Sequence, residues 1–142
     1  MRLLTLLLLL LALPACKPTP SPPPQLEPPI VALPDTIRLL DPTAAQTLIT
    51  TQTRLQIIDC RMEDEFRNGH LPSAYHINQF KPEETRQRLQ TLDPTRPTLV
   101  YCALGTRSRE TALLMQELGF QDISILDGGI HAWLQAKFPL SK

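Results

Sequence analysis

From residue 36 onward, short apolar runs alternate with stretches whose apolar positions recur at helical spacing. Residues 36–40, 55–58, 75–77, 97–101 and 123–126 are too short and too evenly apolar for amphipathic helices, and turn-forming residues bound them. They read as strands. Asp41-Pro42 places a capping carboxylate before a proline at the first helical position and opens a helix to about Thr50. Glu63–Arg67 reads as a single helical turn stopped by Asn68-Gly69, and residues 82–92 as an exposed helix ended by Asp93-Pro94. In residues 107–118, Ala112, Met115 and Leu118 recur on one face with Leu113 and Leu114 beside them, and Gly119 stands where a C-terminal cap belongs. A last helix follows Asp127-Gly128-Gly129, with Trp133 as its core anchor. Strands separated by helices predict an α/β protein built on a parallel sheet.

The chain divides into three parts: 1–15, 16–34 and 35–142. Met1-Arg2 is a minimal basic start, and residues 3–13 are apolar apart from Thr5. That run is shorter than the roughly 20 residues a membrane-spanning helix needs and fits a secretory signal. Its end, Leu13-Pro14-Ala15-Cys16, resembles the bacterial lipoprotein signal, in which the cysteine is lipidated and becomes the new N-terminus. An ordinary secretory signal with an incidental cysteine is the alternative. Eight of the eighteen residues from Lys17 to Pro34 are proline. A stretch of that composition favours an extended polyproline tether, which at ~3.1 Å per residue holds the domain roughly 50 Å from its anchor. The expectation is a lipid-anchored, exported protein on the periplasmic side of a bacterial envelope. Lys17 behind the cysteine, with no aspartate there, favours the outer membrane.

Charge narrows the partners. Fourteen basic and fourteen acidic residues balance and are mixed throughout the domain, so there is no basic patch for a nucleic acid. His70, His76 and His131 share no short ligand spacing, which gives no reason to expect a metal. With Cys16 assigned to lipid, Cys60 and Cys102 remain in an oxidising setting. Cys60 follows Asp59 on a strand and therefore turns to the opposite face, as a core cysteine or as a disulfide partner of Cys102.

Cys102 carries the candidate chemistry. It lies between the end of a strand and the start of a helix, where backbone N–H groups converge and the helix terminus favours negative charge. With Arg107 nearby, that setting lowers a thiol's pKa and makes a thiolate nucleophile. A buried small hydrophobe is the plain alternative. Gly105 lets the loop close so that its amides, with those of Ala103, Leu104 and Thr106, can form an anion-binding nest. Arg107 can hold the loop or a donor anion through its fork of N–H groups, and Ser108 can cap the helix or touch substrate. Glu63, Asp64 and Glu65 read as carboxylates favouring a helix N-terminus.

Four separated segments resemble the rhodanese family of sulfurtransferases. They are Asp59-Cys60-Arg61 with Glu65-Phe66, then Gly69-His70-Leu71-Pro72-Ser73-Ala74, then Tyr101-Cys102 through Gly105-Thr106-Arg107-Ser108, and last Leu126-Asp127-Gly128-Gly129 with Ala132-Trp133. The resemblance implies a three-layer α/β fold with five parallel strands and helices on both faces. It implies a ping-pong reaction without a cofactor. Cys102 takes sulfur from a donor such as thiosulfate or a persulfide, holds it as a persulfide, and passes it to a thiol or cyanide. Asp59 and Arg61 would organise the strand ends around the loop. Four residues separate Cys102 from Arg107, one fewer than in the related phosphatases and arsenate reductases, which suits one sulfur and not a phosphate. The competing readings are a sulfur-carrying or non-catalytic module that docks a partner protein, and a thiol-redox protein, which would lack C-x-x-C spacing.

Overall fold

The computed structural model describes residues 32–142; the signal, Cys16 and the proline-rich stretch through residue 31 lie outside the described residues. Ten elements alternate: β1 (Ile37–Leu40), α1 (Pro42–Thr51), β2 (Gln56–Asp59), α2 (Glu63–Arg67), β3 (Tyr75–His76), α3 (Pro82–Gln90), β4 (Thr98–Tyr101), α4 (Thr106–Glu117), β5 (Ile123–Leu126) and α5 (Gly129–Gln135). The strands form one parallel sheet in the order β1-β5-β4-β2-β3. The class and the five strands are those the sequence predicts, with strand ends differing by at most one residue. Residues just before 35 also contact the domain: Leu33 packs on the core, and the Pro34 carbonyl accepts from the Ile37 N–H at 2.8 Å.

Local chemistry explains the elements. Asp41 caps α1, its carboxylate accepting from the Ala44 N–H at 2.9 Å, and Pro42 occupies the first turn, where its missing N–H costs nothing. Strands β2, β4 and β5 are buried at every position, as inner parallel strands covered on both faces must be. Alternation then sorts their side chains into two layers. Ile58, Cys60, Val100, Cys102, Ile123 and Ile125 meet Leu89 of α3 and Ala112 and Met115 of α4. Ile57, Leu99, Tyr101 and Leu126 meet Ala45 of α1 and Ile130 and Trp133 of α5. Each large side chain buried this way stabilises by about 1.5–3 kcal/mol.

Two helices differ from expectation. The buried stripe of α4 is Ser108, Thr111, Ala112 and Met115, while Leu113, Leu114 and Leu118 are half-buried at its margin. The first turns of α4 lie against Cys102 and Cys60, so hydrogen-bonding side chains stand where a plain core helix would place leucine. Helix α3 stops at Gln90 and buries Thr85 and Leu89, so its sheet-facing side is not exposed.

Beneath the sheet's carboxyl end lies a buried polar network on the α1/α5 layer. Asp59 and Arg61, two residues apart, form a near-enclosed ion pair. The Arg61 Nε donates to Asp59 Oδ1 at 2.9 Å, and its Nη2 donates to Asp59 Oδ2 at 2.6 Å and to the Gly69 carbonyl at 2.7 Å. The Tyr101 hydroxyl donates to Asp59 Oδ2 at 2.6 Å and accepts the Leu71 N–H at 2.9 Å. Burial and the adjacent carboxylate push the Tyr101 phenol's ionisation upward. The network thus binds β2, β4 and the turn at Gly69–Leu71 into one unit; removing Asp59 strands the buried Arg61 charge, and removing the Tyr101 hydroxyl leaves the Leu71 N–H without its partner. Asp59→Ala should destabilise the protein by about 3–5 kcal/mol, and Tyr101→Phe by about 1–3 kcal/mol. Urea denaturation of the two variants checks the order; equal, sub-kilocalorie losses would contradict it.

Candidate active site

Strand β4 ends at Tyr101, the chain turns through four residues, and α4 starts at Thr106. Gly105 is the N-cap residue, at φ +111° and ψ −19°, a conformation open to glycine and strained for other residues. That turn aims the first amides of α4 back at Cys102, whose residue is only 1% exposed. The Gly105 N–H donates to the Cys102 sulfur at 3.1 Å. The Ser108 hydroxyl lies 3.7 Å from the sulfur and donates to the Gly105 carbonyl at 2.9 Å, which fixes the turn.

These donors favour the thiolate. The Cys102 pKa is lowered to about 4, first by the neighbouring Cys60 thiol, then, against the opposing effect of burial, by the Ser108 N–H and hydroxyl and the Gly105 N–H. Cys60 moves the other way. Its hydrogen bond to Cys102, its burial and the Cys102 charge all push its ionisation up, so the pair shares one proton that stays on Cys60. Both cysteines are free.

Glycine closes the site from the other side. The Ile130 and His131 N–H groups of α5 donate to the Cys102 and Ala103 carbonyls at 2.9 and 3.2 Å. A Cβ on Gly129 would stand 2.5 Å from both carbonyl oxygens, so only glycine allows this approach.

The expected residues divide into groups. Cys102, Gly105 and Ser108 come together around the sulfur. Ser108 neither acts as the N-cap nor faces solvent; it sits in the first turn of α4, buried against the thiol. Thr106 begins α4, Leu104 points outward at 65% exposure, and Ala103 contributes its carbonyl to α5. Arg107 is paired with a carboxylate. Its Nη1 and Nη2 donate to the two Glu65 carboxylate oxygens at 2.7 and 2.9 Å, and its guanidinium lies over the Phe80 ring at 5.6 Å. Glu65 also accepts the Met62 N–H at 3.0 Å, so one carboxylate both caps α2 and holds the loop. Asp59 and Arg61 lie on the opposite face of the sheet from the sulfur and bear on it through Tyr101, its chain neighbour.

The Glu65–Arg107 pair is not marked by sequence spacing, since 42 positions separate its members. The contact between the cysteines had a signal. Asp59-Cys60 and Tyr101-Cys102 are the same step on adjacent strands, so alternation sends both thiols to one face.

A parallel α/β sheet with an activated, nearly enclosed thiolate where its middle strand ends is the framework of a cysteine-dependent group-transfer protein. The rhodanese-like domain model matches residues 41–136. The chain belongs to that family. It is 35% identical over 88 residues to the thiosulfate sulfurtransferase GlpE of Shewanella oneidensis, covering 62% of this chain and 84% of the relative. It is 29% identical over 101 residues to the Vibrio cholerae protein of the same name, covering 71% of this chain and 92% of the relative. Its fold matches the solution structure of the rhodanese-like domain of the Anabaena Alr3790 protein at a TM-score of 0.65 and 23% identity, over 72% of this chain and 77% of that one. These relatives support a rhodanese-type sulfurtransferase activity.

Two outcomes test the electrostatics. Alkylation of Cys102 should be flat across neutral pH and reach half its maximum near pH 4; a rise through the ordinary thiol range would contradict the donor arrangement. The Glu65 carboxyl is held down to about 2 from 4.5, chiefly by its hydrogen bonds from Arg107. Its stabilisation is therefore complete above 4.5 and is lost as pH falls toward 2. Glu65→Gln should cost about 1 kcal/mol near neutrality and flatten stability over that acid window, read by thermal melts at a series of pH values.

Proposed function

We propose that this chain is an exported, lipid-tethered sulfurtransferase in which Cys102 carries sulfane sulfur as a persulfide. The observation that carries the reading is the almost enclosed Cys102 thiolate held by the Gly105 N–H at 3.1 Å. A thiolate attacks well and also leaves well, as a two-step transfer requires. The Cys102 sulfur attacks the outer sulfur of thiosulfate. A new S–S bond forms, the old one breaks, and sulfite leaves with the electron pair. Cyanide or a thiolate then attacks the outer sulfur, and Cys102 departs as thiolate. The relatives' names support thiosulfate as the donor. The signal-like start, Cys16 and the proline-rich stretch support an envelope location on the periplasmic side, with the folded domain from about residue 35 held off the membrane.

A second reading has its own support. Arg107, the loop's single basic residue, is engaged by Glu65, and Leu104 and Phe80 stand out at 65% and 62% exposure. Such a rim suits a persulfide-bearing or protein donor better than a small dianion. In that case the domain is a sulfur carrier that docks a partner.

Thiosulfate consumption with cyanide as acceptor, measured on the full chain, should fall to the uncatalysed background in Cys102→Ser. Full activity in that variant would overturn the assignment. Persulfide on Cys102 as purified, with negligible thiosulfate turnover, would select the carrier.

A further inference from the structure

The site contains a second sulfur that the transfer cycle leaves unused. Cys60 is wholly buried and free. Strands β2 and β4 pair in register up to Asp59 opposite Tyr101. The Cys60 N–H continues the ladder onto the Tyr101 carbonyl at 3.0 Å, and its thiol lies 3.2 Å from the same oxygen. The next step of that register sets Cys60 beside Cys102, both on the α4 layer. Neighbouring strands lie about 4.8 Å apart, within the ~4.4–6.8 Å between Cα atoms that a disulfide spans. No backbone movement on the scale of a strand is needed to join the two sulfurs.

We propose, on the strength of the sulfurtransferase reading above, that Cys60 is a resolving thiol that discharges the Cys102 persulfide internally, releasing sulfide and closing a Cys60–Cys102 disulfide. The Cys60 sulfur attacks Cys102 Sγ and forms the new S–S bond. The bond from Sγ to the outer sulfur breaks, and its electron pair leaves on that sulfur. The Cys60 proton goes with it, so hydrosulfide departs. Sulfane sulfur is reduced, the Cys60 thiol is oxidised, and no further oxidant is involved. Reopening the disulfide for another round takes an external dithiol, by ordinary exchange. Geometry favours the step, because Cys60 approaches from the neighbouring strand while the α4 amides hold the sulfur from the helix side.

The test uses the full chain carrying Cys16→Ser, so that Cys60 and Cys102 are its only cysteines. Reduced protein is mixed with thiosulfate without oxygen or acceptor, then followed by intact mass, peptide mapping and sulfide assay. The expected product is two hydrogens lighter than the reduced chain, with a mapped 60–102 disulfide and one sulfide released per chain. With Cys60→Ser, and with Cys60→Ala as a second variant, Cys102 should stay one sulfur heavier, with a lifetime at least about tenfold longer and sulfide at background. Equal persulfide lifetimes in all three proteins, or sulfide release without the disulfide, would overturn the resolving role alone. If none of the three gains sulfur on Cys102, the sulfurtransferase reading itself fails and takes this role with it.

Discussion

A negative sulfur inside a nearly closed site is the constraint around which the rest of the domain is arranged. An ion in such a place is unfavourable unless donors meet it. Here they come from the first turn of α4 and from the thiol on the adjacent strand. Supplying them requires a left-handed residue at 105, a hydroxyl at 108 in place of a core leucine, and a neighbouring strand in fixed register. Each requirement weakens ordinary packing locally, and the two apolar layers elsewhere in the sheet offset that weakness.

The sheet's pleat separates two tasks that share the same strand ends. On one face, Asp59 and Tyr101 join Arg61 and the backbone at Gly69 and Leu71 in a hydrogen-bonded network buried from solvent. On the other face, Cys60 and Cys102 meet beneath α4. A change of one residue in the β2–β4 register would turn the side chains of β2 over relative to β4, placing the Asp59 carboxylate on the sulfur's face and taking Cys60 away from it. The buried network therefore protects the chemistry by fixing register, although none of its side chains contacts the sulfur.

Much of this was legible in the sequence because it is written locally. Strand runs, the Asp41-Pro42 helix start and the cysteine between strand and helix are each a matter of a few consecutive residues. What was not legible depends on distance along the chain. Strand order is set by which apolar faces pack together, and no single run states it. Arg107 reads as a free cation until α2 delivers Glu65 to it, and Glu65 reads as a helix-terminus carboxylate until Arg107 arrives. The polar stripe of α4 escapes helical periodicity, which counts apolar positions, whereas Ser108 and Thr111 are buried for what they bond to.

The approach of α5 to the loop has a consequence for observation. Its leading amides hold the Cys102 and Ala103 carbonyls, so the loop cannot shift without carrying that helix along. Trp133, the chain's only tryptophan, lies on the same helix, fully enclosed, with its indole N–H on the Pro139 carbonyl at 3.0 Å and Phe138 against its ring. The protein thus contains a native optical probe coupled mechanically to its reactive turn. A displacement of that turn would therefore reach the indole through the helix, with no dye attached.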